Sequence, residues 1–302
     1  MIDISTPAKR ISPRRAGRSG GTRAARTARK LWDNVIVRAF LIVASLAFLF
    51  PLVWMITTAL KSPADLAISP PELLPRDWTW GNFAEVFSYI PFARFFVNTL
   101  IVTVLTVLVT VVSNFLIAYG FACLDWRGRD GLFYTVLITL FLPFPLAIIP
   151  TFNLFSWLHW IDTFLPLIVP HAFGSAFFIF LLRQFLLQVP REYLDAARLD
   201  GASEWRIVWQ IVFPLARPAV IAVAILAATK AWNEFLTPLL YLHSAENQTL
   251  AIGMQLFKSE FQTDIRFDLM MAASAMVIVP PVILFFLCQR YFIRGITLGA
   301  AK

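Results

Sequence analysis

The chain has 302 residues and a formal net charge of +8; it is 59% hydrophobic and only 15% charged. A soluble domain carries about a quarter charged residues, so this balance excludes an ordinary soluble enzyme and points to a bilayer. The positive excess gathers before Ala39, at Lys9, Arg10, Arg14, Arg15, Arg18, Arg23, Arg26, Arg29, Lys30 and Arg38. That placement suits a cytoplasmic membrane surface with anionic lipid headgroups, and no nucleic-acid partner is expected.

In chain order, residues 1–34 are rich in Arg, Ala, Gly and Ser without apolar periodicity and read as a basic disordered cytoplasmic tail. Uncharged runs follow at 39–60, 95–124, 131–161, 163–182 and 269–289, and an equally apolar run at 218–242 carries only Lys230 and Glu234. Each is long enough to cross the hydrocarbon core as a helix. An all-α membrane protein with six transmembrane helices is expected. It divides into the tail, a first helix with its outside loop (35–91) and a five-helix core (92–302). The first apolar run starts too late and is too long for a cleavable signal, so it is expected to act as an uncleaved anchor. With the N-terminus inside, Lys61, Arg76, Arg94, Lys258 and Arg266 fall outside and Lys230 within a span; the other Lys and Arg fall inside. The positive-inside bias therefore places both termini in the cytoplasm.

Prolines recur inside the expected spans at Pro143, Pro145, Pro150, Pro166, Pro170, Pro280 and Pro281. Each removes a backbone donor and tends to kink its helix. Two explanations stand: bending for packing, or spans three and four broken around a translocation path. The two cysteines, Cys123 and Cys288, have no metal-ligand spacing, and the three histidines form no catalytic order with acids or cysteines.

A polar stretch at 189–214 interrupts the apolar runs between spans four and five. Pro190 suits the first turn of a helix and Gly201 the position just past its end, which predicts a helix over 190–200. Arg191 and Asp195 stand at i and i+4 as a favourable pair. Ala196, Ala197 and Gly201 offer little bulk, so a partner could approach closely. Ser203 can cap a second helix over 204–212, in which Trp205, Val208, Trp209 and Val212 form an amphipathic stripe. Pro214 and Pro218 are expected to end it and start the fifth span. An interfacial helical hairpin without a partner fits the same pattern.

Asp195-Ala196-Ala197-x3-Gly201-x9-Ile211-x-Phe213-Pro214 resembles the EAA loop of bacterial ABC-importer permeases, Glu-Ala-Ala-x3-Gly-x9-Ile-x-Leu-Pro. Both gap lengths match; Asp195 and Phe213 are the departures. Asn98-Thr99-Leu100, Trp232-Asn233-Glu234-Phe235 and the closing Gln289-to-Gly299 stretch are similar to carbohydrate permeases of the second maltose-permease type. The resemblance covers about 35–302. It implies a permease whose cytoplasmic helix–turn–helix coupling loop, with Asp195, Ala196, Ala197, Gly201, Ile211 and Pro214, seats in an ABC ATPase dimer. It also implies a second permease as heterodimer partner and an extracytoplasmic solute-binding protein. The chain has no Gly-x4-Gly-Lys-Ser/Thr phosphate loop. ATP and magnesium would thus be held by the partner ATPase, with no cofactor and no catalytic site in this chain.

Lys230 and Glu234 stand one turn apart in the fifth span, where charges are costly and face an interior or a watery cavity. With Trp232 and Asn233 they would suit a polyhydroxylated solute. Equally, they could pair only with each other or with the partner permease. His171, beside Pro170, reads either as a satisfied core histidine or as a member of the path. The leading expectation is a sugar importer, with uptake of glycerol phosphate or a similar polyol as the variant that Lys230 favours. A stand-alone transporter or channel and a membrane enzyme are the other classes. The first lacks a detectable internal repeat, the second a convergent catalytic set.

Overall fold

A computed structural model describes residues 20–258 and 266–299. All the described secondary structure is helical. Five helices are long and apolar enough to cross a membrane, and six if one sharply bent pair counts as a single span. The chain divides into two compact units, the first ending at Trp54 and the second beginning at Met55.

Helix α1 (Gly20–Ala59) supplies the described part of the first unit. It begins inside the segment that composition reads as unstructured; residues 1–19 of the tail lie outside the described residues. Ala, Arg and Lys between Gly20 and Leu31 are strong helix formers. Extending a helix that the apolar span already nucleates costs little. Side chains such as Phe40 and Phe48 are exposed, as a lipid-facing helix requires.

In the second unit, α2 (Pro63–Leu66) and α3 (Asn82–Tyr89) form the outside segment. The buried Asn82 amide donates to the carbonyls of Ala59 and Lys61, both at 2.9 Å, and closes that segment. Val86 and Ile90 then share one buried cluster with Phe92, Phe95, Trp232 and Leu269.

Helix α4 (Phe92–Ala122) is the central element and has no internal proline. Its buried Thr99, Thr103, Thr106, Thr110 and Asn114 recur every three or four residues and so line one face. Its opposite face exposes Val97, Val104, Leu108 and Val112.

The expected third span is α5 (Arg129–Ile138) and α6 (Phe144–Trp157), bent by 102° between Phe141 and Pro145. Leu142 turns extended (ψ 114°) because the ring of Pro143 disfavours helical backbone before it. The fourth span is broken as well. Helix α7 (Leu165–Ile168) passes into a 3₁₀ turn at Val169–Phe173, and α8 (Ala176–Leu186) follows Gly174, whose φ is +86°. Pro170 has no N–H for the carbonyl four residues earlier, which favours the change of winding.

Helices α9 (Arg191–Leu199) and α10 (Glu204–Ile207) follow, the latter running through a π turn at Val208–Val212 into α11 (Phe213–Trp232). This corrects the expected boundary: Pro214 and Pro218 do not end a helix, and the fifth span is continuous from Glu204 to Trp232. The wider π turn takes up the disruption just before Pro214. The span also stops earlier than residue 242. Pro238 would clash with the carbonyl of Glu234 in a continued helix, so the chain unwinds at Asn233–Phe235 before α12 (Leu236–Tyr241). Helices α13 (Leu250–Gly253) and α14 (Phe267–Gly299) complete the unit; α14 holds Pro280 and Pro281. A second buried cluster joins the loop-side halves of α4, α8 and α11 to the loop: Phe115, Tyr119, Leu182, Leu194, Ile207, Val212 and Ala216.

Candidate functional site

Two places in the second unit carry the expected site residues: the loop α9–α10 and a cavity beneath the breaks in the spans.

Helix α9 ends as its sequence predicts. Gly201 takes φ +77°, its N–H donates to the Arg198 carbonyl and that of Ala202 to the Ala197 carbonyl, both at 3.0 Å. This pair of bonds satisfies the terminal carbonyls of α9 and needs left-handed backbone at position 201. The Ser203 hydroxyl then accepts from the N–H of Arg206 at 3.4 Å and caps α10.

The six expected coupling residues do not share one face. Asp195, Ala196 and Gly201 are exposed, and a Cβ built on Gly201 would meet nothing within 4 Å. Ala197 is buried and Ile211 packs against the same core cluster, while Pro214 is half-buried. Ala197 and Ile211 pack the loop onto the bundle, because the inner stripe of α9 and α10 faces it. The Trp stripe also splits: Val208 and Val212 are buried, whereas Trp205 and Trp209 stack with ring centroids 6.4 Å apart on the outside. Leu199 and Tyr193 were not singled out from the sequence, yet they are 89% and 59% exposed on this polar loop.

Polar ties hold α9 to the bundle at both ends. The expected pair of Arg191 with Asp195 is replaced: Arg191 reaches Asp125 at 3.0 Å, and Asp195 pairs with Arg198 at 3.2 Å. Asp125 also receives Arg129 at 2.8 Å, so two guanidinium groups share one carboxylate. The hydrogen bond and charge of Arg191 lead in holding the Asp125 carboxyl below its ordinary range. At the far end Arg198 Nε donates to Glu204 at 2.8 Å, and the hydroxyl of the buried Tyr119 donates to the other Glu204 oxygen at 2.5 Å. Glu204, foremost, raises the pKa of Arg198 above its ordinary value. An exposed ion pair contributes about 0–1 kcal/mol, and a hydrogen bond to a charged group about 1.5–3 kcal/mol. Tyr119–Glu204 thus holds α10 firmly to α4, and α9 joins that bond through the exposed Arg198–Glu204 pair.

The cavity has a volume of about 460 Å³ and lies among α4, α6, the α7–α8 break and α11–α12. That is within the ordinary range for small-molecule sites. Lys230, Glu234 and His171 line it together with Thr99, Thr106, Thr110, Thr151, Thr237 and Tyr241. Thr110 and Thr249, also in the lining, have buried hydroxyls with no hydrogen-bond partner among the described residues. Glu234 accepts from the N–H and hydroxyl of Thr237 at 3.2 and 3.1 Å and so caps α12. Among the described residues no ion pair joins it to Lys230, which is exposed.

Trp232 and Asn233 are not in this cavity. The Trp232 indole is buried and donates to the Val277 carbonyl of α14 at 3.2 Å, and Asn233 donates to the Thr229 carbonyl at 2.8 Å. The helix ends at Trp232 and the chain unwinds there, so Trp232 stays packed toward α14 while Glu234 turns to cap α12. The threonine stripe of α4 was missed from the sequence; its signal is polar residues at helical spacing in an otherwise apolar run.

A bundle of broken helices enclosing a polar-lined cavity, with a loop presenting small and apolar side chains, defines a membrane permease. Residues 114–298 match the family described as binding-protein-dependent transport system inner membrane component, and the chain belongs to that family. The arabinooligosaccharides transport system permease protein AraQ of Bacillus subtilis is 34% identical over 273 residues, 89% of this chain and 96% of the relative. The diacetylchitobiose uptake system permease protein NgcG of Streptomyces coelicolor is 30% identical, with 88% of each chain covered. The sn-glycerol-3-phosphate transport system permease protein UgpE of Yersinia pestis is 28% identical over 87% of this chain and 95% of its own. In fold, the chain is similar to one from a bacterial ABC transporter involved in import of the acidic polysaccharide alginate. The TM-score is 0.78 at 22% identity, covering 88% of this chain and 98% of that one.

Proposed function

We propose that this chain is one of two permease subunits of an ATP-driven carbohydrate importer of the inner membrane, with both termini cytoplasmic. An extracytoplasmic binding protein delivers the solute, and a separate ABC ATPase dimer holds ATP and magnesium. The coupling loop is α9 to the π turn, with Asp195, Ala196 and Gly201 at the ATPase and Ala197, Ile211 and Pro214 seating the loop. The observation that carries this is the outer face of α9, where an open glycine, an alanine and the exposed Leu199 adjoin a carboxylate. Alternating access opens the cavity to each side in turn, and its threonine hydroxyls, Lys230, Glu234 and His171 meet the hydroxyls of the solute. Trp232 and Asn233 support the path through α14 and the end of α11.

The test is reconstitution of the complex with its binding protein into vesicles containing ATP, followed by uptake of labelled oligosaccharides. ATP-dependent uptake supports the proposal; a complex that assembles without an ATPase, or moves solute without ATP, overturns it. Glycerol phosphate is the second reading, because Lys230 offers an exposed cation in the cavity. Competition by glycerol phosphate against the labelled sugar distinguishes the two.

A further inference from the structure

One tie of α9 ends on α4 and the other on the turn that follows it, before α5. Tyr119 is in the last turn of α4, and Asp125 follows three residues after its end at Ala122. Through Glu204 and Arg198 the first reaches the C-terminal end of α9, and through Arg191 the second reaches its N-terminal end. Helix α4 then runs without a proline to the cavity, to which it contributes Thr99, Thr106 and Thr110. On the way it holds the break in span four: Asn114 Oδ1 accepts from the Ser175 N–H at 2.7 Å, and the Ser113 hydroxyl donates to the His171 carbonyl at 2.9 Å. From Tyr119 to Thr106 the distance along the axis is about 20 Å at 1.5 Å per residue.

We propose that Tyr119, Glu204, Arg198, Asp125 and Arg191 are positioning residues that fasten the two ends of α9 to the C-terminal end of α4 and the turn directly after it, so that displacement of the loop is delivered to the cavity through α4. This rests on the coupling role proposed above for α9. Proline-free helix is the stiffest connection in the unit; α11 carries the π turn and Pro218, and the other spans are broken or hold internal prolines. A loop tied at one end only could pivot, whereas two ties transmit both its translation and its tilt.

The assay is the ratio of solute transported to ATP hydrolysed, measured on the whole complex with its binding protein in vesicles. Poor folding or assembly lowers both quantities together and leaves the ratio alone. Tyr119→Phe, which removes one oxygen from a buried ring, is expected to lower the ratio by a factor between about 2 and 30, the range for residues along a coupling network. Asp125→Asn combined with Tyr119→Phe is expected to lower it further than either alone. Glu204→Gln keeps one acceptor oxygen for Arg198 and turns an NH2 donor toward the Tyr119 oxygen, so it should keep more of the ratio than Glu204→Leu. Gly201→Asp serves as the control in the same vesicles. An unchanged ratio in Tyr119→Phe and in the double variant, with Gly201→Asp impaired, overturns the fastening to α4 and leaves the coupling loop standing. No effect in Gly201→Asp either overturns both.

Discussion

Gly201 separates two requirements that a single substitution usually confounds. Its φ of +77° puts it in left-handed backbone, and a Cβ there meets nothing within 4 Å. In the chain by itself, Gly201→Ala therefore costs only the backbone penalty of about 1–2 kcal/mol. Gly201→Asn costs less, because a short amide side chain tolerates that region. Stability of the purified complex should rank glycine first, then asparagine, then alanine. Seating against an ATPase ranks them by bulk instead: glycine, alanine, asparagine. Melting temperature in detergent and ATP-dependent uptake in vesicles, measured on the same three proteins, should give these opposite orders. If uptake follows the stability order, with asparagine better than alanine, close approach at Gly201 is wrong and the residue serves only the turn.

Gly174 has no such freedom: φ +86° with ψ 159° is glycine-only backbone, and a Cβ would lie 2.7 Å from Ile117 Cδ1 and 2.9 Å from Ile179 Cδ1. Gly174→Ala is expected to cost more than about 3 kcal/mol and to deplete the protein from the membrane on immunoblots; normal levels would contradict the packing. Asp162 accepts from the Ser244 hydroxyl and N–H and from the His243 N–H and Asn247 amide, which lower its pKa to about 2. Its contribution is fully present above the unfolded value near 3.9 and is lost as pH falls through about 2. The melting-temperature gap between wild type and Asp162→Asn should thus close between about pH 4 and pH 2; a constant gap would remove the carboxylate from the account. Lys230→Met should weaken uptake about tenfold or more if the ammonium meets solute in the cavity, read as initial rate against solute concentration. A reporter fused after Lys302 should be active only in the cytoplasm.

Much of the architecture was legible because bilayer and helix geometry leave few options. Span existence followed from run length, and the end of α9 followed from Pro190 and Gly201, since few residues other than glycine adopt the left-handed closing position. What escaped were consequences of neighbours. Pro214 reads locally as a helix stop, but a π turn accommodates it within a continuous helix. Ala197 and Ile211 belong to the motif by spacing, yet which face of a short amphipathic helix turns inward depends on Leu182, Leu186 and Val212 across the interface. Arg191 has a carboxylate at i+4, but Asp125, sixty-six residues away in sequence, takes the contact. Trp232 to Glu234 form one motif in sequence and diverge in space because α11 ends between them, a break set by Pro238.

The polar stripe of α4 also bears on the order in which the chain is made. Synthesis delivers α4 to the bilayer long before residues 167, 175 and 250 exist, so its polar groups first meet hydrocarbon. Two of them need no neighbour at that moment: Thr99 Oγ1 donates to the Phe95 carbonyl at 2.9 Å, and Asn114 Nδ2 to the Thr110 carbonyl at 2.6 Å. Their remaining acceptors stay vacant until later segments arrive, when the Leu250 N–H reaches Thr99 at 2.8 Å and the Ser175 N–H reaches Asn114 at 2.7 Å. At these two positions the nascent helix can thus enter lipid with a donor already satisfied at home, whereas Thr106 waits for the Leu167 carbonyl. It keeps two open oxygens that the later backbone at Ser175 and Leu250 fills, so the second span offers later segments a place to dock.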